Sequence, residues 1–295
     1  MIVVALATNP YDPCMISNNT FDNPAATKTS LPAYARLPVN HCNLPAVILG
    51  SLSFQQHPAA LSIDGIDELH KKLFAALRPI QTHPQRAEYF MDYMVVHFRI
   101  NHLEDVGLMR GDSNKRVNAD YLRILRGWLF DADSMEAAAL KSWVESRFGL
   151  LTRYHKGDLA DYSGINYQIF LHERSRALYG TNALEAQFDL LFSYCQYELG
   201  LRHAEQQHLK LYRGVNKFDS YQILQHNGKH QAVVLLNNLN SFTTHRERAD
   251  EFGDYILDVN VPWQKILFYS NLLPGMFSGE EEMLVIGGVY QVHII

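Results

Sequence analysis

The chain has 295 residues, of which 47% are apolar and 19% charged, a globular composition with enough length to bury a sizeable core. Its formal net charge of -5 with neutral histidines argues against a nucleic-acid partner, because phosphate neutralisation needs a basic surface. Three widely spaced cysteines, Cys14, Cys42 and Cys195, form neither a disulfide framework nor a C-x-x-C metal knuckle, so the usage is that of a cytoplasmic protein.

In chain order, the opening "MIVVALA" is apolar but short and lacks a preceding Lys or Arg, which fits neither a secretory signal nor a membrane span. Residues 1–45 are rich in Pro, Asn, Ser and Thr and read as an irregular arm, partly disordered. Residues 46–204 follow a helical grammar. In "IDELHKKLFAAL", Ile66, Leu69, Leu73 and Leu77 recur at steps of three and four, predicting one apolar helix face. "AEYFMDYMVVHF" is a second amphipathic run. "DSMEAAALKSWVESRFG" starts with Asp133 three residues before Glu136, a capping-box spacing, and ends at Gly149, suited to a left-handed C-cap. "TNALEAQFDLLFSYCQYELG" carries Leu184, Phe188, Leu191, Cys195 and Leu199 on one stripe and predicts a helix stopping at Gly200.

Over residues 205–295 the period changes to two. "HLKLYRG", "AVVLLN", "YILDVNVP", "KILFYS", "MLVIGG" and "VYQVHI" read as strands, with a short helix near "HRERADEF". Helices followed by strands predict an α+β fold rather than repeating βαβ units. There is no G-x-G-x-x-G, no phosphate-loop motif and no G-x-S-x-G elbow. His226 and His230 are four apart, but Asn227 and Gly228 would break a helix aligning them, so no metal site is predicted. Cys195, on an apolar stripe, reads as inert packing.

Three features of the strand-rich part stand out. In "LYRG", Arg213 ends a strand before Gly214, where a guanidinium fork could meet a phosphate and glycine allows close approach of a flat ring. In "NNLNSFTTHRERADEFG", Ser241 ends an apolar strand, and Ala249 and Phe252 share a short helix face. In "GEEEMLVIGG", period-two alternation puts Glu280 and Glu282 on one side of a strand lip and Glu281 on the other. Taken singly, each also fits a surface arginine, a core phenylalanine and a solvated turn.

Taken in order, Arg, Ser and Glu-x-Glu resemble the R-S-E signature of arginine-type ADP-ribosyltransferases. The blocks "YLRILRGWLFDADS", "LKSWVESRFGL", "LYRGVN", "NNLNSFT", "KILFYSNLLPG" and "GEEEMLVIGGVYQV" further resemble the dinitrogenase reductase ADP-ribosyltransferases, from about residue 41 onward. The resemblance implies a helical N-terminal region packed on an ADP-ribosyltransferase-type split β-sandwich, with NAD as co-substrate and an arginine of dinitrogenase reductase as acceptor. It implies Glu282 as the catalytic glutamate stabilising positive charge on the ribose, and Glu280 as the group that orients the acceptor and takes its proton. It implies that Arg213 grips phosphate, that Gly214 faces the nicotinamide amide and that Ser241 braces the glutamate. Phe252 would stack on nicotinamide, and Asn238 would be a further NAD contact. Regulation by a PII-type nitrogen signalling protein also follows from the resemblance. Two departures exist: Ser241-Phe242-Thr243 replaces Ser-Thr-Ser, and Tyr255 stands where related toxins carry a second arginine, leaving Arg246, Arg248, His155 or Lys156 for the phosphate grip. A different acceptor, or a non-catalytic NAD-binding scaffold, are the alternative readings.

Overall fold

A computed structural model describes residues 30–100, 120–178, 183–216, 218, 222–277 and 281–295. Most of the arm (1–29) and Glu280 therefore lie outside the described residues. The helices are α1 (Ala46–Leu49), α2 (Leu52–Gln56), α3 (Ile66–Leu69), α4 (Lys71–Leu77), α5 (His83–Phe98), α6 (Tyr121–Phe130), α7 (Met135–Phe148), α8 (Ile165–Leu178) and α9 (Leu184–Arg202). They precede β1 (His208–Val215), β2 (Gln222–His226), β3 (Gln231–Thr243), α10 (Arg246–Asp250), β4 (Tyr255–Pro262), β5 (Ile266–Tyr269) and β6 (Glu282–Ile294). The α+β expectation holds, with the helical region first.

Several local expectations need correction. The stripe from Ile66 to Leu77 is broken at His70, whose buried ring bonds the Tyr93 hydroxyl at 3.0 Å; Leu69, before the break, is 67% exposed. The cap of α7 is Ser134, which accepts from the Ala137 N–H at 3.1 Å, while Asp133 turns away to pair with Lys141 at 2.9 Å. Gly149 does take the left-handed conformation, with φ 68°. Helix α9 runs through Gly200 to Arg202 because it docks on β5, where Gln196 Nε2 donates to the Ile266 carbonyl at 2.8 Å. Its whole predicted stripe, Cys195 included, is buried, and burial pushes the Cys195 thiol well above its ordinary pKa. Asn227 and Gly228 close a β2–β3 hairpin, with Gly228 at φ 97°, so His226 and His230 flank a turn that the sequence reading missed. The separate "MLVIGG" and "VYQVHI" runs are one continuous strand, β6.

All strand pairs are antiparallel. β1 pairs with β4 along its length, while β2, β3, β6 and β5 form a second ladder. Among the described residues the two leaves pair at Tyr212 opposite Thr243, at Leu257–Asp258 opposite Ile294–His293 and, just beyond, through two backbone hydrogen bonds between Ile256 and Ile295. Beyond each corner the strands diverge, and a side chain bridges the gap. At the β4–β6 corner Gln55, 7% exposed, donates to the Asn260 and Gln291 carbonyls, both at 3.1 Å, and accepts from the Gln291 N–H at 2.7 Å. At the β1–β3 corner Arg213 Nη1 donates to the Ser241 carbonyl at 2.7 Å. Backbone groups that lost their ladder partners are satisfied in this way.

One hydrophobic cluster runs through both layers, from Leu49 and Phe90 to Leu267 and Val289. Within it, Arg86 and Glu198 make a bidentate pair at 2.6 and 2.8 Å that ties α5 to α9. The β3–β6 ladder carries a bulge between Leu236 and Leu239, where Asn237 and Asn238 face Gly287. A Cβ at Gly287 would lie 1.6 Å from the Asn237 carbonyl oxygen, so the approach admits only glycine. Gly287→Ala is expected to lower stability by about 1–3 kcal/mol or more through overpacking. A thermal melt equal to that of the wild type would contradict this account of the bulge.

Candidate functional site

The cleft opens where β1 and β3 diverge. Arg213 and Gly214 come from β1, Ser241 from β3, Phe252 from the turn after α10 and Glu282 from the first residue of β6. Together with Trp128 to Ala132, at the end of α6, they line a cavity of about 420 Å³. The register explains the grouping. Thr243 lies opposite Glu282 and Ser241 opposite Leu284, so Ser241 and Glu282 are diagonal neighbours on one face.

Trp128 joins them. Its indole Nε1–H is shared between Ser241 Oγ and Glu282 Oε1, each at 3.0 Å. A hydrogen bond to a carboxylate is worth more than one between neutral groups, and one indole donor orients both acceptors at once. The Glu282 backbone is clamped as well: its N–H donates to Ser270 Oγ, and the Ser270 hydroxyl lies 3.0 Å from the Glu282 carbonyl. Helix α6 also meets the loop before β6, with the Arg126 guanidinium 5.9 Å from the centre of the Phe277 ring. The helical layer therefore builds one wall of the cleft.

Phe252 is 60% exposed with the Arg248 guanidinium 5.3 Å from its ring centre, so a large apolar face stands open in the cleft. Gly214 packs against α10, where a Cβ would come within 2.0 Å of the Ala249 carbonyl oxygen. Glu281, expected to point away as a solvated spacer, sits at the cleft mouth and pairs with His245 at 3.1 Å. Both partners are more than half exposed, so this pair contributes little. Thr243 Oγ1 accepts from the His245 N–H at 3.2 Å, which gives it a place in the turn after β3.

Asn238 is not brought to the cleft. The bulge turns it inward, where Nδ2 donates to the Lys141 carbonyl at 2.8 Å and Thr152 Oγ1 at 3.1 Å. Of the other suggested phosphate ligands, His155 is fully buried and bonds Glu173 at 2.7 Å, and Lys156 pairs with the same carboxylate at 2.5 Å. Arg248 lines the cleft but pairs with Glu251 at 2.5 Å.

The sequence reading missed Trp128, Ser270 and the second lobe of the cleft. That lobe, of about 500 Å³, shares Trp128, Asp131, Ala132, Arg213 and Ser241 with the first. It runs on past Asp133, Lys141, Arg153 and Asn237. Burial pushes the Lys141 ammonium below its ordinary pKa, against the pull of Asp133. Burial opposes ionisation of Asp133 too, but Lys141 beside it holds its carboxyl below the usual range. The available signal for this wall was the block "LRGWLFDADS", whose tryptophan lies in the last turn of an amphipathic helix and whose paired aspartates follow it.

No group of three or more His, Cys, Asp or Glu side chains able to hold a metal ion occurs among the described residues. No helix among them is long and apolar enough to cross a membrane. The family model for dinitrogenase reductase ADP-ribosyltransferase matches residues 39–294. The chain is also 36% identical over 256 residues to the NAD(+)–dinitrogen-reductase ADP-D-ribosyltransferase of Rhodospirillum rubrum, covering 86% of this chain and 93% of that protein. No solved structure matches. With the match running through the helical layer, the cleft and the last strand, the chain belongs to the dinitrogenase reductase ADP-ribosyltransferase family.

Proposed function

We propose that this chain moves ADP-ribose from NAD to an arginine of dinitrogenase reductase, releasing nicotinamide and switching the acceptor off. The observation that carries the reading is the convergence of Arg213, Ser241, Phe252 and Glu282 in one cleft, with Glu282 held at a fixed orientation by Trp128. The cytosolic setting, and regulation by a PII-type nitrogen signalling protein, belong to the same reading through the family resemblance.

NAD supplies a glycosidic bond whose electron pair returns to the cationic ring nitrogen when nicotinamide leaves. Glu282 faces the positive charge that builds at the ribose carbon as that bond breaks, and a preoriented carboxylate in a partly dry cleft stabilises it strongly. Trp128 and Ser270 hold Glu282 before the reaction, so little reorganisation is needed at the moment of transfer. Phe252 offers a stacking face for the nicotinamide ring, and Gly214, whose missing Cβ lets α10 pack close, presents its backbone groups to the nicotinamide amide. The acceptor guanidinium forms the new C–N bond through a nitrogen lone pair and loses one proton. Glu280, placed two residues before Glu282 in sequence, is the proposed proton acceptor. Free guanidinium scarcely ionises, so this base acts during bond formation rather than before it.

Labelled NAD offered with purified dinitrogenase reductase, beside a cell lysate, tests the assignment. Label on the reductase supports it, label only on other proteins points to a different acceptor, and no nicotinamide release at all points to a scaffold. Glu282→Gln is expected to abolish transfer while NAD still binds, as read by equilibrium binding; retained transfer would remove Glu282 from its role. For Phe252→Ala, NAD affinity is expected to fall by about 1 kcal/mol or somewhat more from lost stacking, and an unchanged dissociation constant counts against that contact. Trp128→Phe keeps the apolar wall but deletes the shared donor. Its kcat is expected to fall about 10- to 100-fold, with a smaller change in KM for NAD. Equal loss in both constants would mean that Trp128 acts in binding rather than in orienting Glu282.

A further inference from the structure

The first lobe alone is small for a dinucleotide, and its landmarks mark one end. Phe252, Gly214 and Glu282 gather where nicotinamide and acceptor must meet. A ligand extended from there past Arg213 enters the second lobe. The cations lining this cleft are not equivalent. Lys141 is neutralised by Asp133 at 2.9 Å and Arg248 by Glu251 at 2.5 Å. Arg153, half-buried, has no carboxylate within ion-pair distance among the described residues. Its backbone N–H donates to Asn237 Oδ1 at 2.9 Å, and its guanidinium makes one bond, from Nη1 to the Leu235 carbonyl at 3.2 Å. A guanidinium has five donor hydrogens in a planar fork, so most of this fork has no protein acceptor among the described residues. Burial pushes its pKa below the ordinary arginine value, against weaker support from Tyr34 and Asp158. A partly desolvated guanidinium with no carboxylate at ion-pair distance is costly unless an anion completes it, and a bidentate phosphate is the matching shape.

We propose that the second lobe is the adenosine-diphosphate subsite of the cleft and that Arg153 grips the diphosphate together with Arg213. The inference rests on the reading of NAD as co-substrate and adds to it the direction in which the dinucleotide lies. Asp131 and Asp158 line the same lobe and suit the hydroxyls and exocyclic amine of adenosine, not its phosphates. Asn237 fixes the segment, since it accepts from the Arg153 N–H and donates to the Tyr154 carbonyl at 2.9 Å. The grip thus comes from the loop after α7, not from the position held by Tyr255.

The test uses the full chain and two probes, ADP-ribose and nicotinamide, each as a competitor of NAD. For Arg153→Gln, ADP-ribose is expected to bind about 10- to 100-fold more weakly, the range of one lost charge-assisted contact. Nicotinamide inhibition should stay within about two-fold of wild type, and KM for NAD should rise by more than kcat falls. Arg153→Lys keeps the charge without the fork and should recover part of the ADP-ribose affinity. ADP-ribose affinity equal to wild type in Arg153→Gln overturns the proposal, as does a rise in KM confined to the protein acceptor. Should Arg153→Gln fail to fold, Arg153→Lys decides: several-fold weaker ADP-ribose binding supports the grip and unchanged binding refutes it. Failure of the wild type to bind NAD or ADP-ribose would sink the underlying reading, whereas a binding wild type with an indifferent Arg153 sinks only this one.

Discussion

The cleft depends on one constraint, the antiparallel register of β3 against β6. Thr243 opposite Glu282 puts the carboxylate and the Ser241 hydroxyl on one face, and the bulge at Asn237–Asn238 against Gly287 holds that register. A slip by one residue would turn every side chain of β6 to the other face and carry Glu282 out of the cleft. The divergence of β1 from β3 then supplies the space. β1 and β3 pair at Tyr212 opposite Thr243 and then part, and the orphaned carbonyl of Ser241 is met by Arg213. The side chain proposed to meet phosphate also repairs the sheet, so its position is fixed before any ligand arrives.

Trp128 extends the constraint into the helical layer. Its indole N–H is a neutral donor and leaves the charge of Glu282 intact for chemistry, whereas a lysine or arginine in its place would neutralise the carboxylate. It also places the end of α6 against the start of β6. Asn237 and Asn238 lash α7 and the segment after it to β3 by four hydrogen bonds of 2.8 to 3.1 Å, one to the Lys141 carbonyl in the helix and three to Thr152, Arg153 and Tyr154. The helical residues thus line the cleft as well as support it.

The share of this that was legible in the sequence follows from how local each signal is. Strand alternation gave β1, β4 and β6, and the spacing of Leu184, Phe188 and Leu191 gave α9, because burial repeats with a fixed local period. Arg213, Ser241 and Glu282 were legible as an ordered set carried by a family signature. Asn238 was offered as an NAD contact by the family resemblance, and a resemblance of motifs does not carry the bulge that turns its side chain toward α7. The His70 break was hidden because a histidine does not stop a helix; the tertiary bond to Tyr93 holds it there. Trp128 carried no readable role because its two acceptors lie more than a hundred residues away, and only the fold brings them together.

Electrostatics closes the argument. A cleft that must receive a diphosphate, a developing cation and an acceptor guanidinium needs charges of both signs a few ångströms apart without letting them cancel. The fold separates them by strand. Glu282 sits at the start of β6, beside a neutral indole, while Arg213 lies across the split on β1 and Arg153 on the loop after α7. Three further cations of this region are paired with carboxylates: Lys141 with Asp133, Lys156 with Glu173 and Arg248 with Glu251. The groove thus presents Glu282 toward one end and the guanidiniums of Arg213 and Arg153 along the other, joined at Ser241, an arrangement suited to a nicotinamide dinucleotide and a cationic acceptor.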